Sequence, residues 1–333
     1  MEALYQLSYS PERSRQDTGI GGISVHVVTI EQPSDRPSVG ARAAGPLSPE
    51  EIDSYWADGY LFVEHAITPE QLEALVADFD AWVEESREHH EPYGDTLAGR
   101  PRFDLAPEHT AKAPRLRRVA SPVEVSDNYL AVVRDNRALD AAAQLIGPNV
   151  EFNNSKINAK QPGASTEVKY HQDFLFQPHS NEDLIAVLFF LDDVTLENGP
   201  LNVVPGTHRH ELFDHWHDGV FTGAVSPQVV ADHVADAVPI YGPAGSACLM
   251  HTRLLHGSAP NTSDRPRTLF ISEYRAEDSK PLQVSHLPSI YDGEVVRGER
   301  TNRVRCSTYE MEFPEVPTGA SFFSQQAKAG ADT

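Results

Sequence analysis

From Val150 to Tyr274 the chain breaks into short runs of β-branched and aromatic residues, each bounded by Gly, Pro or Asn. That texture restricts the fold more than any other feature. The runs are Val150–Asn158, Val168–Phe176, Ile185–Leu191, Leu201–Val204, Ser246–Met250 and Arg267–Tyr274. Short strands with turn signals between them predict a sandwich or barrel. Helical signals come earlier. Ser48-x-x-Glu51 is a capping box for a short helix ending near Gly59, followed by a strand at Leu61–Val63. Thr68, Pro69 and Gln71 start a second helix, with Leu72, Leu75, Val76, Phe79, Trp82 and Val83 on one apolar face. A third, Asn136–Ile146, is stopped by Gly147-Pro148. Residues 90–118 read as loop, and residues 1–46 as a partly ordered arm with a candidate strand at Ile23–Ile30. The order, helices before strands, predicts a mainly β fold with α and a single domain over residues 47–333.

Charge removes several function classes. Against 27 Lys and Arg stand 49 Asp and Glu, a net charge of −22, so a nucleic acid or an anionic membrane is repelled at long range. No cluster of basic residues suited to the phosphates of a coenzyme A ester is visible along the chain. Cys248 and Cys306 stand far apart without zinc-site or disulfide spacing, which fits a reducing cytoplasm. The N-terminus has no secretory pattern, and the longest apolar stretch, Leu184–Leu191, is far too short to span a bilayer. A soluble cytoplasmic protein with a small-molecule ligand is the expectation.

The chemical signal is Tyr170-His171-Gln172-Asp173. In a strand, His171 and Asp173 project together while Gln172 points away. An imidazole and a carboxylate make two thirds of a facial triad; His256, just after a later strand, supplies the third ligand. Two His and one carboxylate on one face of a ferrous ion leave three positions open for a bidentate cosubstrate and dioxygen. Alone, HxD is more often a surface pair in a chain with 15 His and 49 acids. Eleven residues beyond His256, Arg267 opens another strand, where a guanidinium is suited to gripping a carboxylate with two parallel hydrogen bonds.

HxD, a gap of about 80 residues, His256-Gly257-Ser258-x-x-Asn261 and Arg267 together resemble the phytanoyl-CoA dioxygenase family, which includes ectoine hydroxylase. Asn198-Gly199-Pro200-Leu201 and Pro205-Gly206-Thr207-His208 are similar to its central segment. The resemblance covers roughly residues 50 to 275. It implies a double-stranded β-helix, or jelly-roll, core over residues 149–280, with surrounding helices in 47–148 and a C-terminal extension over 281–333. It further implies Fe(II) held by His171, Asp173 and His256, with 2-oxoglutarate and O2 as cosubstrates. Arg267 matches the binder of the distal 2-oxoglutarate carboxylate, and Ser258 a hydroxyl assisting it. Asn158, Lys156 and Gln172 become further cosubstrate candidates. The carboxylate at Asp173 favours hydroxylation over halogenation.

The expected reaction is hydroxylation of an unactivated C–H of a small metabolite, an amino acid or a natural-product intermediate, with release of succinate and CO2. An acyl-CoA hydroxylase, a non-catalytic jelly-roll binding protein and a zinc hydrolase are the rivals. Phe174 and Phe176 are candidate substrate walls, although core packing suits either equally; His179 and Arg275, near motif ends, are candidate substrate contacts. His251 reads as a structural neighbour of the site, and His208 and His210 as loop residues.

Overall fold

The computed structural model describes residues 44–333 apart from 164, 211, 302, 310, 312, 314–325 and 327–333. All but the last three residues of the expected arm, its Ile23–Ile30 strand included, lie outside the described residues, as does most of the chain beyond Phe313. In chain order the elements are α1 (Pro49–Asp58), β1 (Tyr60–Val63), α2 (Pro69–Glu85), β2 (Tyr93–Asp95), β3 (Pro101–Leu105), β4 (Leu116–Ala120), α3 (Asp127–Arg134) and α4 (Arg137–Ile146). There follow β5 (Val150–Lys160), β6 (Val168–His171), β7 (Leu184–Phe190), β8 (Leu201–Val203), β9 (Trp216–His217), β10 (Val220–Phe221) and α5 (Pro227–His233). Last come β11 (Val238–Ile240), β12 (Ala247–His251), β13 (His256–Ser258), β14 (Arg267–Ala276) and β15 (Val295–Arg297).

Helix boundaries follow local chemistry. The Ser48 hydroxyl accepts from the Glu51 amide and the Glu51 carboxylate accepts from the Ser48 amide, closing the capping box of α1. Gly59, at φ 86°, ends that helix and donates to the Tyr55 carbonyl. Thr68 and Gln71 cap α2 in the same reciprocal way, and Asn136 caps α4.

Two antiparallel sheets face each other. The larger runs β1-β12-β7-β14-β5-β4-β3-β2, with β15 also on β5; the smaller runs β11-β8-β13-β6. Both faces of the large sheet are covered, so its central strands β7, β12 and β14 are buried along their whole length. Ile185, Val187 and Phe189 of β7, Ala247 and Leu249 of β12, and Phe270 and Tyr274 of β14 pack into the helical layer of α1–α4. The alternate residues Ala186, Leu188, Phe190, Cys248, Met250, Leu269 and Ile271 turn inward and meet Leu201, Val203 and Ile240 of the small sheet. The result is the expected jelly roll with helices outside.

Three sequence expectations need correction. Residues 90–118 are not simply loop: β2, β3 and most of β4 fall there and extend the large sheet. Charges conceal the pattern, because Arg102, Asp104, Arg117 and Arg118 all sit in β3 and β4. There Arg102 pairs with Glu124 at 2.7 Å and Arg117 with Asp104 at 2.8 Å. Helix α3, capped by Ser126, was also hidden, since Asp127, Asn128 and Arg134 dilute its apolar face. The strand expected at Val168–Phe176 stops at His171, and Asp173–Phe176 form a 3-10 turn. The Gln172 amide leaves the ladder to donate to His215, and the Phe174 amide donates to the Thr252 carbonyl. No helix among the described residues is long and apolar enough to cross a membrane.

The interior holds many histidines in their neutral form. Burial, as the main cause, lowers His179 and His215 to about 3, and His208 and His256 to about 4. It also holds His251 and His286 well below the ordinary imidazole value. Each of these groups binds a proton in the unfolded chain at a pH where the folded chain does not, so stability rises with pH through that window. Raised carboxyls at Asp183, Asp192 and Glu273 work in the opposite sense but are fewer. The urea midpoint is therefore expected to fall as pH drops from about 6.5 toward 4, the ordinary and depressed histidine values. Potentiometric titration should register net proton uptake on unfolding. A second expectation concerns Phe270, fully buried between Tyr129 and Phe189 at ring distances of 4.8 and 5.6 Å. Phe270→Ala should cost about 3–5 kcal/mol in chemical denaturation.

Candidate active site

Strands β6 and β13 are neighbours in the small sheet, and His171 and His256 are direct cross-strand partners. Their rings lie 4.2 Å apart, centroid to centroid. Each imidazole is oriented by the carbonyl two residues before it. His171 Nδ1 lies 2.8 Å from the Lys169 oxygen and His256 Nδ1 2.9 Å from the Leu254 oxygen. A proton on each Nδ1 makes Nε2 the lone-pair atom of each ring, which is how metal-ligating histidines are held. The 3-10 turn brings Asp173 against both, with Oδ1 3.3 Å from His171 Nε2 and Oδ2 3.8 Å from His256 Nε2. One ligand atom from each of the three lies within 4.8 Å of the others, close enough for a single ion to touch all three.

The electrostatics suit a cation. Burial pushes the Asp173 carboxyl up, but Lys156, His256 and His171 outweigh it and hold the group well below the usual carboxylate range. Burial, helped by His171, keeps His256 neutral above a pKa of about 4, so its lone pair is available at neutral pH. The donor set of two imidazoles and a carboxylate fits a ferrous ion, with one octahedral face left open.

Behind the triad lies a cavity of about 620 Å³, its mouth included. Arg267 lies at one end, 2% exposed, on the first residue of β14. Its Nε donates to the Gly199 carbonyl at 3.0 Å. Burial lowers its pKa to about 10, so the guanidinium stays charged at neutral pH, and none of the described carboxylates pairs with it. Gly199 is required there: at φ 79° it lies in the left-handed region, and a Cβ would stand 2.7 Å from the Ala259 oxygen. Ser258 lines the same end, its hydroxyl accepting from Lys160 Nζ at 2.7 Å. Asn158 and Lys156 line the cavity from β5, and Asn158 Oδ1 is buried without a hydrogen-bond partner.

Other expected residues fall elsewhere. Gln172 spends its side-chain amide on backbone, donating to the Arg253 carbonyl at 2.7 Å and accepting from the Phe213 amide at 2.9 Å. It does not line the cavity. Phe176 stands edge-on to His171 at 5.8 Å, beside the triad, whereas Phe174 packs against Tyr309 at 5.7 Å. Arg275 is bound to Glu151 at 2.9 Å and to Asp292 at 2.8 Å, and His179 is buried with its Nδ1 on the Gln177 carbonyl. Neither lines the cavity. His251 packs against Tyr55, Trp56 and His208.

The sequence reading missed Arg118, Lys160, Thr166 and His286. Arg118 belongs to a strand that its own charge disguised. Lys160 is the register partner of Arg267, visible in sequence only as the end of a polar, strand-like stretch. Burial, with repulsion from Arg267, lowers Lys160 to about 6.

Known proteins share this organisation. A 35% identical stretch of 191 residues matches the "Probable alpha-ketoglutarate-dependent hypophosphite dioxygenase" of Stutzerimonas stutzeri, covering 56% of this chain and 66% of that protein. The L-proline trans-4-hydroxylase of Streptomyces griseoviridis is 31% identical over 172 residues, covering 45% of this chain and 63% of that one. The chain thus spans just under two thirds of the length of each. Among solved structures, iron-bound EctD from S. alaskensis superposes with a TM-score of 0.60 at 20% identity, covering 77% of this chain and 89% of that one, and so shares the fold. Residues 55–269 match the family described as Phytanoyl-CoA dioxygenase (PhyH). With that match running from α1 to the third residue of β14, the chain belongs to the phytanoyl-CoA dioxygenase family.

Proposed function

We propose that this protein is an Fe(II)- and 2-oxoglutarate-dependent oxygenase that hydroxylates an unactivated C–H of a small metabolite. The observation carrying this reading is the convergence of two Nδ1-anchored imidazoles and Asp173 on one point, with a buried guanidinium in the same cavity. His171, Asp173 and His256 are the proposed metal ligands. Arg267 takes the distal carboxylate of 2-oxoglutarate, Ser258 and Asn158 flank it, and Lys156 keeps Asp173 ionised while extending the polar wall. Iron bound here supplies the oxidising power that couples cosubstrate decarboxylation by O2, to succinate and CO2, with hydroxylation.

The rest is work done by the chain. Leu188, Leu201, Leu269 and Ile271 wall the cavity and keep bulk water from the reacting centre. Phe176 fixes the His171 ring from its edge. Small ligands also figure in the relatives' names: hypophosphite, L-proline and ectoine. A cavity of about 620 Å³, its mouth included, is of a size that takes such a molecule. Against a zinc hydrolase, the described lining residues include no carboxylate or imidazole beyond the triad, and such an enzyme has no use for Arg267. A cytoplasmic setting, without nucleic acid or membrane as partner, fits the charge of −22 and two free thiols.

Anaerobic addition of Fe(II) and 2-oxoglutarate should produce the weak visible charge-transfer band of a chelated keto acid, and admission of air should release succinate. Asp173→Ala should abolish coupled turnover; unchanged activity would remove Asp173 as a ligand. Arg267→Ala should raise the half-saturating 2-oxoglutarate concentration by a factor on the order of 100, because losing one partner of a buried charged pair costs about 2–5 kcal/mol.

A further inference from the structure

The cavity carries cations at two separate places. Arg267 and Lys160 are cross-strand partners and occupy one end together. Lys156 lies four residues back along the same face of β5, roughly 13 Å away at about 3.3 Å per residue. Arg118 enters from the far side of β5, where β4 pairs it with Asn158. A single five-carbon diacid held by Arg267 and chelated at the triad does not need both places.

The second place has features of a ligand site. Arg118 lines the main cavity and also a smaller adjoining one that Thr96, Arg100 and Ser121 help to form. His286, on the segment after β14, is half-buried, with its ring 5.5 Å from that of Phe176, which itself stands on His171. The charged groups acting on His286 are Lys156, Arg118 and Arg100, with Asp173 opposing them. Its Nδ1 is buried without a hydrogen-bond partner. Arg100 holds this segment in place by donating to the His286 carbonyl. Apolar surface from Phe176 lies between this group and the triad.

Resting on the oxygenase reading above, we propose that the substrate is a small oxyanion, its charged group held by Arg118 and the Nδ1 side of His286 and its X–H bond turned toward the His171–Asp173–His256 triad. In a chain of net charge −22, attraction for such a molecule has to come from within the cavity. The Arg118 fork suits either a carboxylate or a phosphorus oxyanion. Lys156, paired with Glu273 at 3.7 Å, adds its field at this second place.

The test uses the full chain loaded anaerobically with Fe(II) and 2-oxoglutarate. Hypophosphite, methylphosphonate, propionate and L-proline are titrated against the visible band, with propionamide and L-prolinamide as partners lacking the oxyanion. At least one oxyanion should shift the band saturably at constant 2-oxoglutarate. The amides should not, and whether phosphorus or carbon acids bind more tightly identifies the source of the oxyanion. In Arg118→Gln the half-saturating concentration should rise about tenfold or more. Arg118→Lys, which keeps the charge, should retain part of the response and serves if the glutamine variant does not fold. If no band forms on loading, the oxygenase reading itself falls. If the band forms but no oxyanion shifts it at tens of millimolar, or if amides shift it equally, the oxyanion proposal alone is overturned. It is likewise overturned if added 2-oxoglutarate reverses the effect, which places the anion at Arg267, or if folded Arg118→Gln responds like the parent.

Discussion

A slip of one residue in β14 would turn Arg267, Leu269, Ile271 and Glu273 out of the barrel and drive Phe270 and Tyr274 into it. That parity is the constraint on which the rest of the molecule depends, because β5, β7, β12 and β14 are buried on both faces and cannot trade one face for the other. In β14 the outward Phe270 and Tyr274 pack into the helical layer, whereas the inward Arg267, Leu269 and Ile271 line the cavity. Fixing the helical layer therefore fixes which functional groups look inward, and the site inherits its rigidity from packing on the opposite side of the sheet.

The same economy appears in the motifs. Only two side chains of His256-Gly257-Ser258-x-x-Asn261, those of His256 and Ser258, line the cavity. Asn261 ties the following loop to the Lys160 and Arg265 carbonyls at 2.9 and 2.7 Å. A Cβ on Gly257 would stand 3.0 Å from the Val168 oxygen, so the glycine allows β13 to lie tightly on β6 and bring His256 opposite His171. In Asn198-Gly199-Pro200, Asn198 braces the turn through the Thr195 amide and the Asp193 carbonyl, and the Gly199 carbonyl steadies Arg267. Much of what marks the family in sequence is thus backbone support for a few side chains.

Net charge turned out to be a poor guide to the interior. The chain is strongly acidic, and the cations of its cavity are scattered in sequence between residues 118 and 267. Yet Arg118, Lys156, Lys160 and Arg267 meet in one cavity, with Asp173 the carboxylate among its described lining residues. Strand pairing gathers them: β4, β5 and β14 lie side by side although about 150 residues separate Arg118 from Arg267. Most of the described acidic groups lie at the surface, where solvent screens them, whereas the cavity cations act across a poorly screened interior.

Local chemistry determined what could be read without coordinates. Capping boxes at Ser48 and Thr68, the helical stripe from Leu72 to Val83 and the apolar runs of the central strands are each set by neighbours a few residues away, so sequence alone placed them within a residue or two. His171, Asp173, His256 and Arg267 were legible because their spacing resembles a known family. Tertiary structure alone decided which charges share a cavity, that Gln172, His179 and Arg275 serve backbone or ion pairs outside it, and that β3 and β4 are strands at all. Those outcomes depend on partners far along the chain, such as Glu124 for Arg102 or Glu151 for Arg275, and no local pattern encodes a partner that folding has yet to deliver.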